Sequence, residues 1–206
     1  MNCRCVVTAY CSVDVLSYSA YTSTPCFAHQ GFVKLSGSTV WEHSWCGDLP
    51  NARGVSILKL DAFSCTQLES RSFDTYASAS AATDLKNYLD GLSDGDLVIG
   101  VSGDEASANL GNARSTLSAW GANVDDVGFR GSFAFIAQKG FASKTMLDKV
   151  LTEGASNTAP AKINVILQGS LCTLYHAITA WKKILCSGSC RERKDKAAKS
   201  VSAMIT

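Results

Sequence analysis

Two short apolar runs, Leu97 to Val101 and Phe133 to Ala137, bracket the stretch that most constrains what this chain can fold into. Each run is bounded by turn residues and reads as a buried strand: Asp94-Gly95-Asp96 opens the first and Gln138-Lys139-Gly140 closes the second. Between them the sequence gives a polar hinge, Ser102-Gly103-Asp104-Glu105, and then Leu110, Ala113, Leu117 and Trp120 at offsets of three and four. That spacing puts four apolar side chains on one helical face. Gly121 stands where a left-handed helix terminus is wanted, and Gly128-Phe129-Arg130-Gly131 forms a loop into the second strand. The charged residues therefore fall at the ends of elements, where a rigid scaffold presents binding groups.

The flanking sequence adds hairpins before this unit and a strand after it. Phe32 to Leu35, the Ser36-Gly37-Ser38 turn and Val40-Trp41 read as one hairpin. Gly54 to Leu60, a turn near Asp61 to Ser64, and Gln67 to Phe73 read as another. A helix follows with Ala81, Leu85, Tyr88, Leu89 and Leu92 on its apolar stripe and Ser78 or Ser80 as N-cap. Ser143 to Leu151 reads as a further helix, Ile163 to Leu167 as a last strand, and Leu171 to Leu185 as an amphipathic helix. Residues 1–30 show no periodicity and are expected to form an irregular, cysteine-bearing arm. The domain is then expected over 31–169, with a helix and basic tail over 170–206. Paired hairpins at the front break strict βαβ alternation, so a doubly wound nucleotide fold is not expected. Phe73, Trp120, Phe133 and Phe135 are expected in the core.

The bulk numbers narrow the function class. Nineteen Lys and Arg stand against 18 Asp and Glu in 206 residues, which argues against nucleic acid as a partner. The cluster Arg191 to Lys196 is short, interrupted by acids, and reads as a solvated tail. Leu171 to Leu185 is too short for a membrane span and carries Lys182 and Lys183. Nine cysteines, none between residues 66 and 171, suit an oxidising compartment in which peripheral residues are stapled to a core. An odd count leaves one thiol unpaired or available for a disulfide-linked dimer. Cys46 and Cys65 bracket one hairpin and are the expected bridge, a reading of proximity rather than of connectivity. Their spacings lack matching histidine pairs, so no metal or cofactor is expected. The first residues, Met1 to Asp14, read poorly as a secretion signal, so an extracellular location implies further residues upstream or another export route.

Arg53-Gly54-Val55, Ser72-Phe73-Asp74-Thr75-Tyr76, the Asp-Gly turn, Asp104-Glu105-Ala106-Ser107, Gly128-Phe129-Arg130 and Gln138-Lys139-Gly140 occur in a fixed order. As a set they resemble the ILEI/PANDER-like domain, also called the GG domain, over roughly residues 31–169. Members include secreted cytokine-like proteins, cell-surface hyaluronan-related proteins, and the stem of the O-mannose-linked N-acetylglucosaminyltransferase. The resemblance implies an α+β fold of two packed, mostly antiparallel β-sheets with flanking helices.

Arg53, Asp104 and Arg130 each stand at a strand mouth. In the glycosyltransferase stem the sugar-binding residues lie in RGI, KDE and WRD; here the matching segments are ARGV, GDEA and FRGS, with the same three charged residue types. The chemistry suits a sugar, since a guanidinium offers a planar fork of donors and a carboxylate accepts from hydroxyls. An aspartate between two arginines is expected to keep a low pKa and remain an acceptor. Phe129 stands where the family often has Trp and still offers a stacking face. Gly103, Gly131 and Phe133 also depart from the family's usual residues. A purely structural Arg–Asp–Arg tie between loops remains the other use of the same residues. Asp74 is expected to cap the turn that follows it.

The resulting expectation is a non-catalytic extracellular recognition domain. Its partner is a glycan, of N-acetylglucosamine type or glycosaminoglycan-like, or alternatively a protein receptor for a cytokine-like secreted ligand. A hydrolase or thiol enzyme is the third reading. His43 lies three residues from Cys46, and Asp74, Asp104 and Glu105 could converge, but no nucleophile elbow or phosphate loop is present. His29 and His176 complete the histidines and lie outside the central stretch.

Overall fold

The computed structural model describes residues 7–18, 30–44, 53–62, 64–141, 146–150 and 160–170. Nine strands and two helices lie among the described residues: β1 (Val7–Ser17), β2 (Gln30–Leu35), β3 (Ser38–Ser44), β4 (Gly54–Leu60), β5 (Gln67–Phe73), α1 (Ala79–Gly91), β6 (Leu97–Gly103), α2 (Ala113–Ala119), β7 (Ser132–Gln138), β8 (Met146–Val150) and β9 (Ala161–Ser170). Contacts divide the chain into a unit of Tyr10–Leu167 and a unit of Met1–Ala9 with Gln168–Thr206. Of the second unit, only the outer ends of β1 and β9 are described.

The strands form a four-stranded sheet, β3-β2-β1-β9, and a five-stranded sheet, β5-β4-β6-β7-β8. The paired strands whose register is defined all run antiparallel. Alternation divides the five-stranded sheet between two apolar layers. Leu58, Leu60, Ile99, Val101, Ala134 and Ile136 meet Val13, Val15, Val33, Leu35 and Ile163 of the other sheet. On the opposite face Val55, Ile57, Val98, Phe133 and Phe135 meet Leu85 and Leu89 of α1 and Leu117 of α2. The domain is therefore sheet on sheet with helices on one outer face, the α+β arrangement expected from the sequence. β4, β6 and β7 are buried almost throughout because both of their faces are covered.

The helices keep most of the expected spacing: in α1 Leu85 and Leu89 are buried as expected, with Ala82 inside rather than Ala81. Leu110, Ala113, Leu117 and Trp120 are all buried, and Gly121 has φ 83°. Ser78 caps α1 by accepting the Ala81 N–H. The other end of α1 is closed from outside the helix. Lys139 Nζ donates to the carbonyls of Leu89, Asp90 and Leu92 at 3.2, 2.6 and 2.6 Å. A cation on orphan carbonyls at a helix C-terminus is favourable through both hydrogen bonds and the helix dipole. Lys139→Met is expected to cost about 1–2 kcal/mol and lower the melting temperature by roughly 2–8 °C, with an unchanged far-UV circular dichroism spectrum.

Two segments depart from the sequence reading. The stretch read as an irregular arm contains β1, which lies between β2 and β9. Its register pairs Val13 with Leu35 and Val15 with Val33, and alternate residues Cys11, Val13, Val15 and Ser17 are buried. The described fold thus begins before residue 31. The segment read as a helix from Ser143 to Leu151 contains strand β8, paired with β7 from Ser132↔Val150 to Ile136↔Met146. An open sheet edge supplies a ladder of backbone partners that overrides the good helix propensity of Met, Leu and Lys in this run. The expected Leu171–Leu185 helix, the Arg191–Lys196 cluster, His29, His176 and Cys46 lie outside the described residues.

Candidate functional site

Four neighbouring strands deliver their charged groups to one end of the five-stranded sheet. Arg53 precedes β4, Asp74 follows β5, Asp104 follows β6 and Arg130 precedes β7. The antiparallel register sets this, since Gly54 pairs with Gly103, Val55 with Phe73, and Val101 with Ala134. All three charged residues expected at the site come to this rim. Asp74 joins them.

Arg53 Nε donates to both carboxylate oxygens of Asp74, at 2.9 and 3.0 Å, and its Nη2 also donates to Oδ2. Asp74 Oδ1 also accepts the Ala77 N–H at 3.0 Å, so the expected turn cap is present alongside the ion pair. The Arg53 hydrogen bond holds the Asp74 carboxyl below its ordinary value, and the same bond raises Arg53. A depressed carboxylate pKa stabilises the fold above the ordinary carboxylate range, and that contribution disappears as pH falls through the lowered value. Both side chains are about 40% exposed, so the pair contributes no more than about 1 kcal/mol.

Asp104 and Arg130 form the second half. The Asp104 side chain is 10% exposed, and its Oδ1 lies 3.9 Å from Arg130 Nη1. That oxygen is buried and accepts no hydrogen bond. Both residues hold left-handed backbone, at φ 46° and φ 54°. Non-glycine residues in this region are uncommon and mark positions fixed by their surroundings. The expectation of a low Asp104 pKa is corrected here. Burial pushes it up, with Glu105 and Asp74 acting in the same direction; Arg130 and Arg53 oppose without prevailing. Arg130 stands off at 3.9 Å and Arg53 is engaged by Asp74, so desolvation wins.

Each arginine lies over an aromatic ring. Arg53 Cζ is 4.9 Å from the Tyr76 ring centroid, and Arg130 Cζ is 5.6 Å from that of Phe129. Tyr76 is 41% exposed and Phe129 51%. The rim therefore shows two guanidinium–aromatic pairs around two carboxylates. Two surface hollows lie elsewhere, one lined by Asp90, Thr116, Trp120 and Lys139, the other by Arg71, Phe73, Asp84 and Tyr88.

Three residues whose positioning role the sequence reading did not assign hold the rim in place. Glu105 is fully buried: Oε1 accepts from the Ser107 N–H, the Ser107 hydroxyl and the Ala108 N–H, while Oε2 accepts from the Arg130 N–H. It ties the hinge carrying Asp104 to the loop carrying Arg130. Arg114 on α2 donates to the carbonyls of Ser107, Val124, Asp125 and Val127, supporting the same loop from below. Asn109 donates its backbone N–H to the Thr75 carbonyl and its side-chain Nδ2 to the Tyr76 carbonyl, joining the Asp74 half to the Asp104 half. An acid directly after Asp104 and an arginine within an apolar helical stripe were the available signals.

His43, considered above with Cys46, is buried on β3 in the other sheet, with its ring 6.2 Å from that of Trp41. Burial lowers its pKa. Cys65 is a free thiol in the turn between β4 and β5, and Cys46, its expected partner, lies outside the described residues.

Comparison with known proteins finds similarity across this rim. Residues 53–141, which contain all four charged groups and both aromatics, match the family model described as interleukin-like EMT inducer. The chain is also 31% identical over 134 residues to the cell migration-inducing and hyaluronan-binding protein of mouse. The human protein of the same name matches equally, at 31% over 134 residues. The alignment covers 64% of this chain and 10% of each relative, so the chain spans about a tenth of their length.

Proposed function

We propose, on the premise that this chain carries an interleukin-like EMT inducer domain at residues 53–141, that it is a non-catalytic extracellular recognition module binding carbohydrate at the rim. The observation that supports this most is Asp104 Oδ1: nine-tenths buried side chain, no hydrogen-bond donor, and an opposed arginine held just beyond bonding distance. An unsatisfied buried acceptor costs stability, and a purely structural tie would close the gap. A sugar hydroxyl placed between Asp104 and Arg130 would donate to the carboxylate and accept from the guanidinium. Phe129 and Tyr76 add flat apolar faces at the sides, as pyranose binding requires. Glu105 has its oxygens taken by four donors, which fits anchoring better than acid–base work.

The ligand's charge follows from the balance of the rim. Two arginines face two aspartates, with Arg53 already neutralised by Asp74. Hydroxyl and acetamido groups of an N-acetylhexosamine suit this better than a lone uronate, which would need an uncompensated cation. The relatives' name includes hyaluronan binding, a chain that carries both sugar types, so both belong in the test.

The test is a glycan array probed with the full chain, since β1 lies within its sheet and a fragment beginning at residue 31 would lack it. Saturable binding to N-acetylglucosamine-bearing glycans is expected, reduced at least about tenfold in Arg130→Ala with an unchanged melting temperature, as for loss of a charge-assisted bond. Binding should also weaken on acidification before an ordinary carboxylate titrates, because the Asp104 pKa is raised and protonation removes the acceptor. Unchanged affinity in Arg130→Ala would remove the rim from the site. A blank array with a folded chain would favour the second reading, a secreted cytokine-like ligand for a protein receptor, which the family's description supports.

A further inference from the structure

Two thiols meet at the seam between the sheets. Cys11 lies on β1 with its side chain in the inter-sheet layer beside Val13 and Val15, 2% exposed. Cys65, in the turn between β4 and β5, packs against the same layer, close enough for the Cys11 thiol to act on that of Cys65. Both are free. They are 54 positions apart in the chain and belong to different sheets.

The turn fixes this meeting. The Cys65 N–H donates to the Asp61 carbonyl at 2.9 Å, the Asp61 N–H to the Thr66 carbonyl at 2.9 Å, and the Ser64 hydroxyl to Asp61 Oδ1 at 2.9 Å. Cys65 itself holds φ 58°, a left-handed position that hairpin loops ordinarily fill with glycine. A side chain kept in that conformation is aimed by it, here into the layer that holds Cys11.

We infer that Cys11 and Cys65 form a cross-link site, oxidised by a small-molecule disulfide of the glutathione class to an intramolecular disulfide joining β1 to the β4–β5 turn. Cys65 is only partly buried and is the point of entry. Its thiol gives a proton to solvent, and the thiolate attacks one sulfur of the small disulfide, expelling one small thiolate. Cys11 then loses its proton and attacks Cys65 Sγ, expelling the second. Both leaving groups take up protons, so two protein thiols are oxidised and one disulfide is reduced to two thiols. Burial pushes the Cys65 thiol up to about 12, with Cys11 and Asp61 acting in the same direction, so formation is slow at neutral pH and quickens as pH rises.

Tryptic cleavage of the full chain distinguishes the partners. Peptide 60–71 has Cys65 as its only cysteine, peptide 35–53 has only Cys46, and peptide 5–34 has Cys5, Cys11 and Cys26. The chain is equilibrated across oxidised-to-reduced glutathione ratios, acid-quenched, alkylated in denaturant, digested and mapped by mass. The expected product is 60–71 joined to 5–34, with loss of alkylation at Cys65. It should survive Cys5→Ser and Cys26→Ser and vanish in Cys11→Ser. Cys65→Gly relieves the left-handed position, so it keeps the fold, and Cys11 should then be alkylated under all conditions. Peptide 60–71 joined to 35–53 would overturn the proposal. So would full alkylation of Cys65 at every ratio in a chain with a native circular dichroism spectrum.

Discussion

Glu105→Ala is expected to lower the melting temperature by roughly 8–16 °C, corresponding to about 4 kcal/mol in a domain of this size. The carboxylate is fully buried and receives three backbone N–H groups, of Ser107, Ala108 and Arg130, and one hydroxyl. Truncation leaves those donors facing a cavity, and each unpaired buried donor costs about 1–3 kcal/mol before any water enters. Glu105→Gln separates the charge from the shape. It keeps one acceptor oxygen and sets an amide NH2 against a remaining donor, so about 2–3 kcal/mol should be lost. Both variants should also weaken ligand binding more than their stability loss explains, because Glu105 holds the Arg130 backbone in its left-handed conformation opposite Asp104. Differential scanning calorimetry with the glycan titration of Arg130→Ala as reference gives both readings. An alanine variant that melts within about 1 °C of the native chain would show that the hinge and the loop do not depend on this residue.

The contrast between Glu105 and Asp104 shows what could be read from the sequence and what could not. That Arg53, Asp104 and Arg130 sit at element ends follows from where the apolar runs stop, a local property. Their convergence needs the register of four antiparallel strands, and only that register brings Arg53 to Asp74 across the start of β4 and the end of β5. Asp74 therefore read as a turn cap, correctly but incompletely. The Asp104 pKa went the other way from the sequence expectation because burial has no sequence signature: two adjacent acids became one saturated anchor and one unsatisfied acceptor. Elements followed the same division. α2 was legible because Ala113 and Leu117, with Leu110 and Trp120 just beyond its ends, keep a local period that needs no partner. β1 and β8 were not, because their pairing lies with β2 and β9 for the first and with β7 for the second. The alternation of Cys11, Val13 and Val15 is short and lies in a stretch dominated by serine, threonine and tyrosine.

Gly54→Ala should be at least as damaging as the glutamine variant of Glu105, and for a backbone reason. Gly54 opens β4 with φ 91°, and a Cβ there would stand 2.0 Å from the Phe73 carbonyl oxygen and 2.6 Å from the Thr75 nitrogen. Neither atom belongs to a side chain that can rotate away. The left-handed conformation alone costs an alanine about 1–2 kcal/mol. Overlap with backbone must be relieved by moving β4 from the end of β5, which adds about 1–3 kcal/mol as in overpacked cores. The sum, about 2–5 kcal/mol, corresponds to a fall of roughly 4–20 °C. Gly95→Ala isolates the two contributions, since Gly95 has φ 94° with nothing within 4 Å of its added Cβ, so it should show the conformational cost alone. The close approach at Gly54 is also what seats Arg53 beside Asp74, and forcing the strands apart should break that pair. Urea unfolding of the two variants in parallel tests this: equal losses would mean that β4 accommodates the methyl, and that the glycine after Arg53 serves only its backbone angle. A larger loss at Gly54, accompanied by weaker glycan binding, would tie the Arg-Gly pair to the site through the spacing of two strands.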